Sequence, residues 1–298
     1  MVLTVVFSVA TVFNDWHRYL ELFSHFRLQY LFVALLLTLA FLAMRWPSYS
    51  VIGIATVALN AWFVVPWYIP DDEAPARTAD LKIMLSNVLA TNESAERFMA
   101  LVAEETPDVL VIQEATPGWM AQLGSLHAAY PHRIAEPRED PFGIAVLSKL
   151  PMESAAVNAS DPMGFPEIIA RLVVDDRALN LISTHPMPPI GNNNYSSRNL
   201  QLYGVAQLAA NTPEPLVVIG DLNTTMWAHH YRRLVDTAGL RNARQGFGVH
   251  PTWPLFMPFA MIPIDHCLVS DGIQVIAFES GPSIGSDHLP IIVSLAID

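Results

Sequence analysis

In six places along the chain a short apolar run ends in an acid, an amide or a histidine. Ile83-Met84-Leu85-Ser86 ends at Asn87, Val109-Leu110-Val111-Ile112 at Gln113-Glu114, and Leu181-Ile182-Ser183-Thr184 at His185. Leu216-Val217-Val218-Ile219 ends at Gly220-Asp221-Leu222-Asn223, Ile264 leads into Asp265-His266, and Ile284-Gly285-Ser286 into Asp287-His288. Gathered on one rim, that many unpaired acids cost on the order of several kcal/mol each to bury. A bound cation, or pairing between the acids and the histidines, offsets that cost. Taken singly, each end has an ordinary reading. Glu114 alone is a solvated strand end, Asp221-Leu222-Asn223 a turn, His185 a hydrogen-bonded loop histidine, and Asp287-His288 a local ion pair.

Strand-like and helix-like signals alternate around these ends. The β-type runs are residues 81–88, 109–113, 143–148, 167–174, 178–184, 216–220, 264–269, 274–278 and 290–296. Asn92 or Ser94 can cap a helix whose Ala95, Phe98, Met99 and Val102 share one face. Residues 117–129, 199–210 and 231–238 are further helix candidates, and a Pro- and aromatic-rich loop covers 247–263. Mixed strands and helices of this extent predict an α/β domain with layered sheets.

Composition divides the chain in two. Of 298 residues, 52% are hydrophobic and only 15% charged, and the net charge is −12. Residues 1–70 carry only Asp15, Glu21, Arg18, Arg27 and Arg45, a net of +1, which leaves −13 for the rest. Lys82 and Lys149 are the only lysines. So acidic a domain has no bulk attraction for nucleic acid. The single Cys267 excludes an internal disulfide. Residues 29–44 (QYLFVALLLTLAFLAM) and 51–69 (VIGIATVALNAWFVVPWYI) are each near the length that crosses about 30 Å of hydrocarbon, with Tyr30, Trp46, Trp62, Trp67 and Tyr68 near their ends. Residues 2–13 are apolar but short. Two long stretches without a basic start do not suit a cleaved signal peptide. The expectation is a membrane helical anchor of two or three spans over 1–70, a linker over 71–80, and one catalytic domain over 81–298. Three crossings from an inside N-terminus place that domain outside the cytoplasm, on the periplasmic or external side.

The succession Asn87, Gln113-Glu114, Gly143-Ile144-Ala145-Val146-Leu147-Ser148, Thr184-His185, Gly220-Asp221-Leu222-Asn223, Asp265 and Gly285-Ser286-Asp287-His288-Leu289-Pro290 resembles the motifs of the endonuclease/exonuclease/phosphatase superfamily. That group includes deoxyribonucleases, abasic-site endonucleases, neutral sphingomyelinases and inositol polyphosphate 5-phosphatases. The resemblance covers about 81–297 and leaves 1–70 outside it. It implies a four-layer α/β/β/α sandwich with the site at one edge of the paired sheets; the N-terminal transmembrane helical segment expected from composition precedes it. It implies Glu114 as the main Mg²⁺ or Mn²⁺ ligand, supported by Asn87 and Asp287, all oxygen donors suited to a hard cation. Asp221 then orients or deprotonates a water, Asn223 holds a phosphoryl oxygen or the nucleophile, His288 oriented by Asp265 bonds the phosphoryl group, and His185 contacts the phosphate or assists the leaving group. No Cys/His cluster has zinc spacing.

Arg198 and Gln201 stand at a spacing that the superfamily also shows, and Arg198 is either a substrate contact or a structural arginine paired with a carboxylate. His229-His230 are poor joint metal ligands, because adjacent helical side chains diverge, and read as surface or substrate-rim residues. His250 and Trp253 line the substrate entrance or pack beneath it. The polar run 191–198 (GNNNYSSR) is a candidate head-group reader. The expected activity is a metal-dependent phosphodiesterase acting on a phospholipid or other small diester in preference to duplex DNA. The alternatives are a membrane-tethered binding module with the same fold and no catalysis, or an extracytoplasmic nuclease.

Overall fold

The apolar runs form strands whose alternate residues point into different cores, as a period of two requires. The computed structural model of the chain describes residues 1–70, 77–159 and 163–298; residues 71–76, the first part of the expected linker, lie outside the described residues. The helices are α1 (Val2–Ala10), α2 (Arg18–Ser24), α3 (Arg27–Ala43), α4 (Pro47–Val64), α5 (Glu96–Glu105), α6 (Pro117–Gln122), α7 (Gly191–Ala210) and α8 (His229–Ala238). The strands are β1 (Leu81–Asn87), β2 (Val109–Gln113), β3 (His132–Glu136), β4 (Ile144–Ser148), β5 (Met152–Asn158), β6 (Glu167–Val174), β7 (Arg177–Ser183), β8 (Leu216–Asp221), β9 (Arg241–Asn242), β10 (Asp265–Val269), β11 (Ile273–Ser280) and β12 (Ile291–Ile297).

They build two six-stranded sheets, ordered β11-β12-β1-β2-β4-β3 and β5-β6-β7-β8-β10-β9. Leu81, Ile83, Leu85, Val109 and Val111 of the first sheet meet Leu179, Leu181, Val217 and Ile219 of the second in a shared core. The opposite residues of the first sheet, Met84, Leu110 and Ile112, pack on Phe98, Val102 and Trp119 from α5 and α6. Those of the second sheet, Leu216 and Val218, pack on Leu202, Val205, Tyr231 and Leu234 from α7 and α8. The result is the four-layer sandwich.

The N-terminal helices join that last layer. Val64 belongs to the same core as Trp227 and Val249, with Leu28, Leu31, Phe63 and Trp67 packed against it. The Trp227 indole donates to Phe63 O at 2.9 Å, Gln29 Nε2 to Met261 O at 2.7 Å, and Gly248 N to Trp67 O at 2.8 Å. By length and composition one helix, Pro47–Tyr68, is able to cross a membrane, with a mean hydropathy of 1.6 and only 28% of its apolar window buried. Helix α3 qualifies only jointly with α2, from which it bends by 65°.

Two expectations need correction. Helix α5 starts after Ala95, with no side-chain cap. Asn92 instead turns back to accept from Ser94 N and to donate to Val88 O. The polar run 191–198 forms the first two turns of α7, which begins at Gly191 and not at 199. Three consecutive asparagines, weak helix formers, hide that start.

Candidate active site

Strand pairing puts the chemistry on one rim. Parallel β1 and β2 run in register, with Asn87 beside Gln113, and parallel β7 and β8 end side by side, with Ser183 beside Ile219. Antiparallel β10 enters where β8 leaves, so that Asp265 lies directly opposite Asp221. Gln113 ties the two sheets together at this edge. Wholly buried, it donates from Nε2 to Thr184 O at 2.7 Å and accepts from Asp221 N at 2.8 Å. The sheets approach so closely here that a Cβ on Gly220 would fall 1.9 Å from Thr184 O.

Two buried carboxylates opposed across a strand pair repel. The His288 imidazole lies between them, with Nδ1 2.9 Å from Asp265 Oδ2 and Nε2 3.7 Å from Asp221 Oδ2. Burial disfavours the imidazolium, but Asp265 and then Asp221 and Asp287 outweigh it and push the pKa up to about 9. Asp265 responds in the opposite sense: burial would raise its pKa, yet the charge and hydrogen bond of His288, with help from Thr252, hold it below the ordinary value. Both shifts describe one ion pair, with the proton on the histidine. His185 Nε2 stands 3.5 Å from the same Asp221 oxygen. Burial opposes its cation, but the hydrogen bond and charge of Asp221, aided by Glu114, raise its pKa above the ordinary value.

The other half of the rim is all oxygen and amide. Asn87 Nδ2 donates to Glu114 Oε1 at 3.0 Å and reaches Asp221 Oδ2 at 3.4 Å, while Asn87 Oδ1 accepts from Leu89 N at 3.1 Å and so fixes the amide's orientation. Glu114 Oε2 accepts from Ala90 N at 2.8 Å. Asp287 accepts from the Trp253 indole through Oδ2 at 2.9 Å, and its Oδ1 is buried with no hydrogen-bond partner. Glu114 and Asn223 have φ of 60° and 50°, left-handed backbone that costs about 1–3 kcal/mol in a non-glycine residue and that accumulates at functional sites.

Two sets are candidates for a cation. Asp221, Asp265 and His288 offer ligand atoms within 4.8 Å of one another. His288 Nδ1 is committed to Asp265, however, and a protonated imidazole donates rather than ligates. The carboxylate of Glu114 and the orphaned Oδ1 of Asp287 are hard donors of the kind that Mg²⁺ and Mn²⁺ take, and the carbonyl of Asn87, turned to Leu89 N in this structure, joins them on rotation of its amide. The donor chemistry therefore fits the cation that the motifs imply.

Asn223 carries its backbone N–H to Asp221 Oδ1 at 2.8 Å and its amide to Pro186 O at 2.9 Å. Arg198 does not reach the open side of the site. It is wholly buried, with its guanidinium on Glu21, on Asn223 O at 3.1 Å and on Asn199 Oδ1 at 2.8 Å. Gln201 is buried as well and accepts from Met187 N at 2.8 Å. His230 approaches the buried Glu21 at 3.7 Å, and His250 bonds Ser280 Oγ and Phe247 O. Trp253 stands over His288, ring centroids 6.2 Å apart. The motifs assigned no part to His266, yet its buried Nε2 faces Thr224 O at 2.9 Å, and Nδ1 faces Asn242 Nδ2 at 3.0 Å. Burial, then Arg244, lowers its pKa to about 3, so it stays neutral and serves as a fixed brace. Its place directly after Asp265 on a buried strand was the only signal for it.

A family model described as Endonuclease/Exonuclease/phosphatase family matches residues 84–288. A comparison with curated proteins gives no match. Among solved structures, D. rerio TDP2 complexed with single strand DNA product aligns with a TM-score of 0.62 at 19% identity, covering 72% of this chain and 98% of that one. The human Nocturnin catalytic domain with bound sulfate anion aligns with a TM-score of 0.60 at 17% identity, covering 76% and 97%. A functionally unknown conserved protein from Enterococcus faecalis V583 aligns at 0.61 and 16% identity, covering 73% and 100%. At these identities the likeness establishes the fold.

Proposed function

The chain belongs to the endonuclease/exonuclease/phosphatase family, and from that premise we propose that it is a membrane-anchored, divalent-metal-dependent phosphodiesterase. The observation that carries this reading is the Asp265–His288–Asp221 arrangement, with Glu114 and Asn87 joined to it through Asp221. A decayed binding module has no use for a cationic histidine held between two buried carboxylates, which is a cost to stability without a reaction to serve.

Glu114, Asn87 and Asp287 would hold a Mg²⁺ or Mn²⁺ ion, which would supply charge neutralisation at the phosphoryl group and a more acidic water. The chain's own residues do the rest. Asp221 Oδ2, facing both histidines, receives a proton from the attacking water. Asp265 keeps His288 charged, so that its Nε2–H donates to the phosphoryl oxygen as charge builds. Asn223 holds the nucleophile or a phosphoryl oxygen, and His185 donates toward the leaving oxygen. The reaction is an in-line displacement at phosphorus.

Membrane attachment is supported by the hairpin of α3 and α4, where Leu36, Leu39, Leu42, Val51 and Ile54 are each between 51% and 66% exposed. Such helices in water are a liability. Phe256 and Phe259, in the loop that follows Trp253, are also largely exposed. That loop touches α3 through Gln29 and the site through Leu255 N on Asp287 O. A small or lipid phosphodiester suits such surroundings. Duplex DNA does not: Lys82 and Lys149 sit at the far ends of their strands from the rim, bound to Glu105 and Thr106. We place the catalytic domain outside the cytoplasm.

The test is a substrate panel with the purified full-length chain in detergent: bis(p-nitrophenyl) phosphate, p-nitrophenyl phosphate, phospholipid vesicles, single- and double-stranded DNA, each with Mg²⁺, Mn²⁺ or EDTA. Metal-dependent diester hydrolysis is expected. No hydrolysis of any substrate with either metal overturns the reading.

A further inference from the structure

The loop after β8 is held from outside the family's own region. Asn223 O receives Arg198 Nη1 at 3.1 Å. Arg198 is wholly buried, and its one carboxylate partner among the described residues is Glu21 of α2, itself wholly buried. The other oxygen of Glu21 accepts from Tyr195 OH at 2.8 Å. Two residues on, Thr225 Oγ1 meets His25 Nδ1 at 2.9 Å. Two more residues on, Trp227 O receives Asn14 Nδ2 at 3.3 Å. Asn14 and His25 directly, and Glu21 through Arg198, thus tie a largely apolar N-terminal segment to the loop that follows Asp221 and carries Asn223.

A buried ion pair adds little to stability when set against apolar packing of the same volume, but it fixes a geometry. The geometry fixed here is that of Asn223, whose backbone is left-handed and whose N–H holds the Asp221 carboxylate. Without a counter-ion, Arg198 would draw other acceptors or water into the layer. We propose that Glu21 is a positioning residue for the reaction: through Arg198 it locks the Asp221–Asn223 loop, making the N-terminal helices part of the catalytic apparatus as well as an anchor. The kinetic arm of this inference rests on the phosphodiesterase reading; the structural arm does not.

The test compares the full-length wild type, Glu21→Gln, Tyr195→Phe and the paired Glu21→Met/Arg198→Met variant in detergent, by amide hydrogen exchange and by turnover of bis(p-nitrophenyl) phosphate with Mn²⁺. Glu21→Gln is expected to speed exchange across 222–227 about tenfold while β1, β2 and β12 keep their protection. It should lower kcat about 10- to 100-fold with KM within about twofold, as for a lost alignment. The paired variant, which leaves no buried charge, should recover the wild-type Tm but neither loop protection nor kcat. Tyr195→Phe should give a smaller change of the same kind. Wild-type exchange of 222–227 in Glu21→Gln overturns the proposal, as does a paired variant that regains Tm, loop protection and kcat together; where Glu21→Gln does not fold, the paired variant decides. A wild type inactive on the diester counts against the phosphodiesterase reading, and the exchange data still decide on Glu21.

Discussion

Around Asp221 Oδ2 stand Asn87 Nδ2, His185 Nε2 and His288 Nε2 at 3.4, 3.5 and 3.7 Å. The first two distances are at the long end of hydrogen bonding and the third is an ion-pair distance beyond it, as in sites that tighten around their reactants. Replacing Asp221 by Asn, or His288 by Ala, should lower turnover of a diester by at least about 100-fold, which steady-state kinetics with Mn²⁺ will measure. Glu114 gives a readout free of substrate. Added Mn²⁺ should raise the Tm of the wild type, because a ligand that binds only the folded state stabilises it, and should leave the Tm of Glu114→Ala unmoved. The residues that meet here were legible because each closes an apolar run. The roles of Gln113, His266 and Glu21 were not, because each is defined by a partner far away in the chain: Thr184 and Asp221, Thr224, and Arg198.

At the scale of elements, the rim depends on how near the two sheets come at Gln113 and Gly220. Gln113→Leu strips partners from two buried backbone groups, Thr184 O and Asp221 N, and should cost about 2–6 kcal/mol in urea unfolding. Gly220→Ala forces a methyl against a carbonyl oxygen and should cost about 3 kcal/mol or more, or prevent folding. A wild-type urea midpoint in either variant contradicts this account of the sheet contact. The strands between two cores announced themselves by continuous apolar runs, as fully buried strands do. Strands β3 and β5 gave no such signal. The seven residues of β5 follow no apolar alternation, and six of them are exposed. Being an edge strand of its sheet, β5 is fixed by pairing with β6 and not by burial of its own side chains.

For the whole molecule, the packing of α2, α3 and α4 on the α7–α8 layer means that the endonuclease/exonuclease/phosphatase region does not stand apart from the apolar segment. A chain beginning at residue 77 loses Phe63, Val64 and Trp67 from a shared core and strips Arg198 of Glu21. Such a fragment should aggregate or melt well below the full chain in detergent, by light scattering and calorimetry. Equal Tm values would separate the two parts after all.

Much of this protein was written locally. The apolar runs, their terminal acids and histidines, the acidic balance and the apolar first 70 residues each follow from short stretches of chain, because strand burial and helix hydrophobicity are set by neighbouring residues. What the tertiary structure decided is which charges find each other. Arg198 was open between a substrate contact and a structural ion pair, and only folding brought Glu21, 177 positions away, to its guanidinium. Charge pairing acts through space and leaves no periodicity in sequence; the side chains that finish the site are therefore known only once the layers have closed.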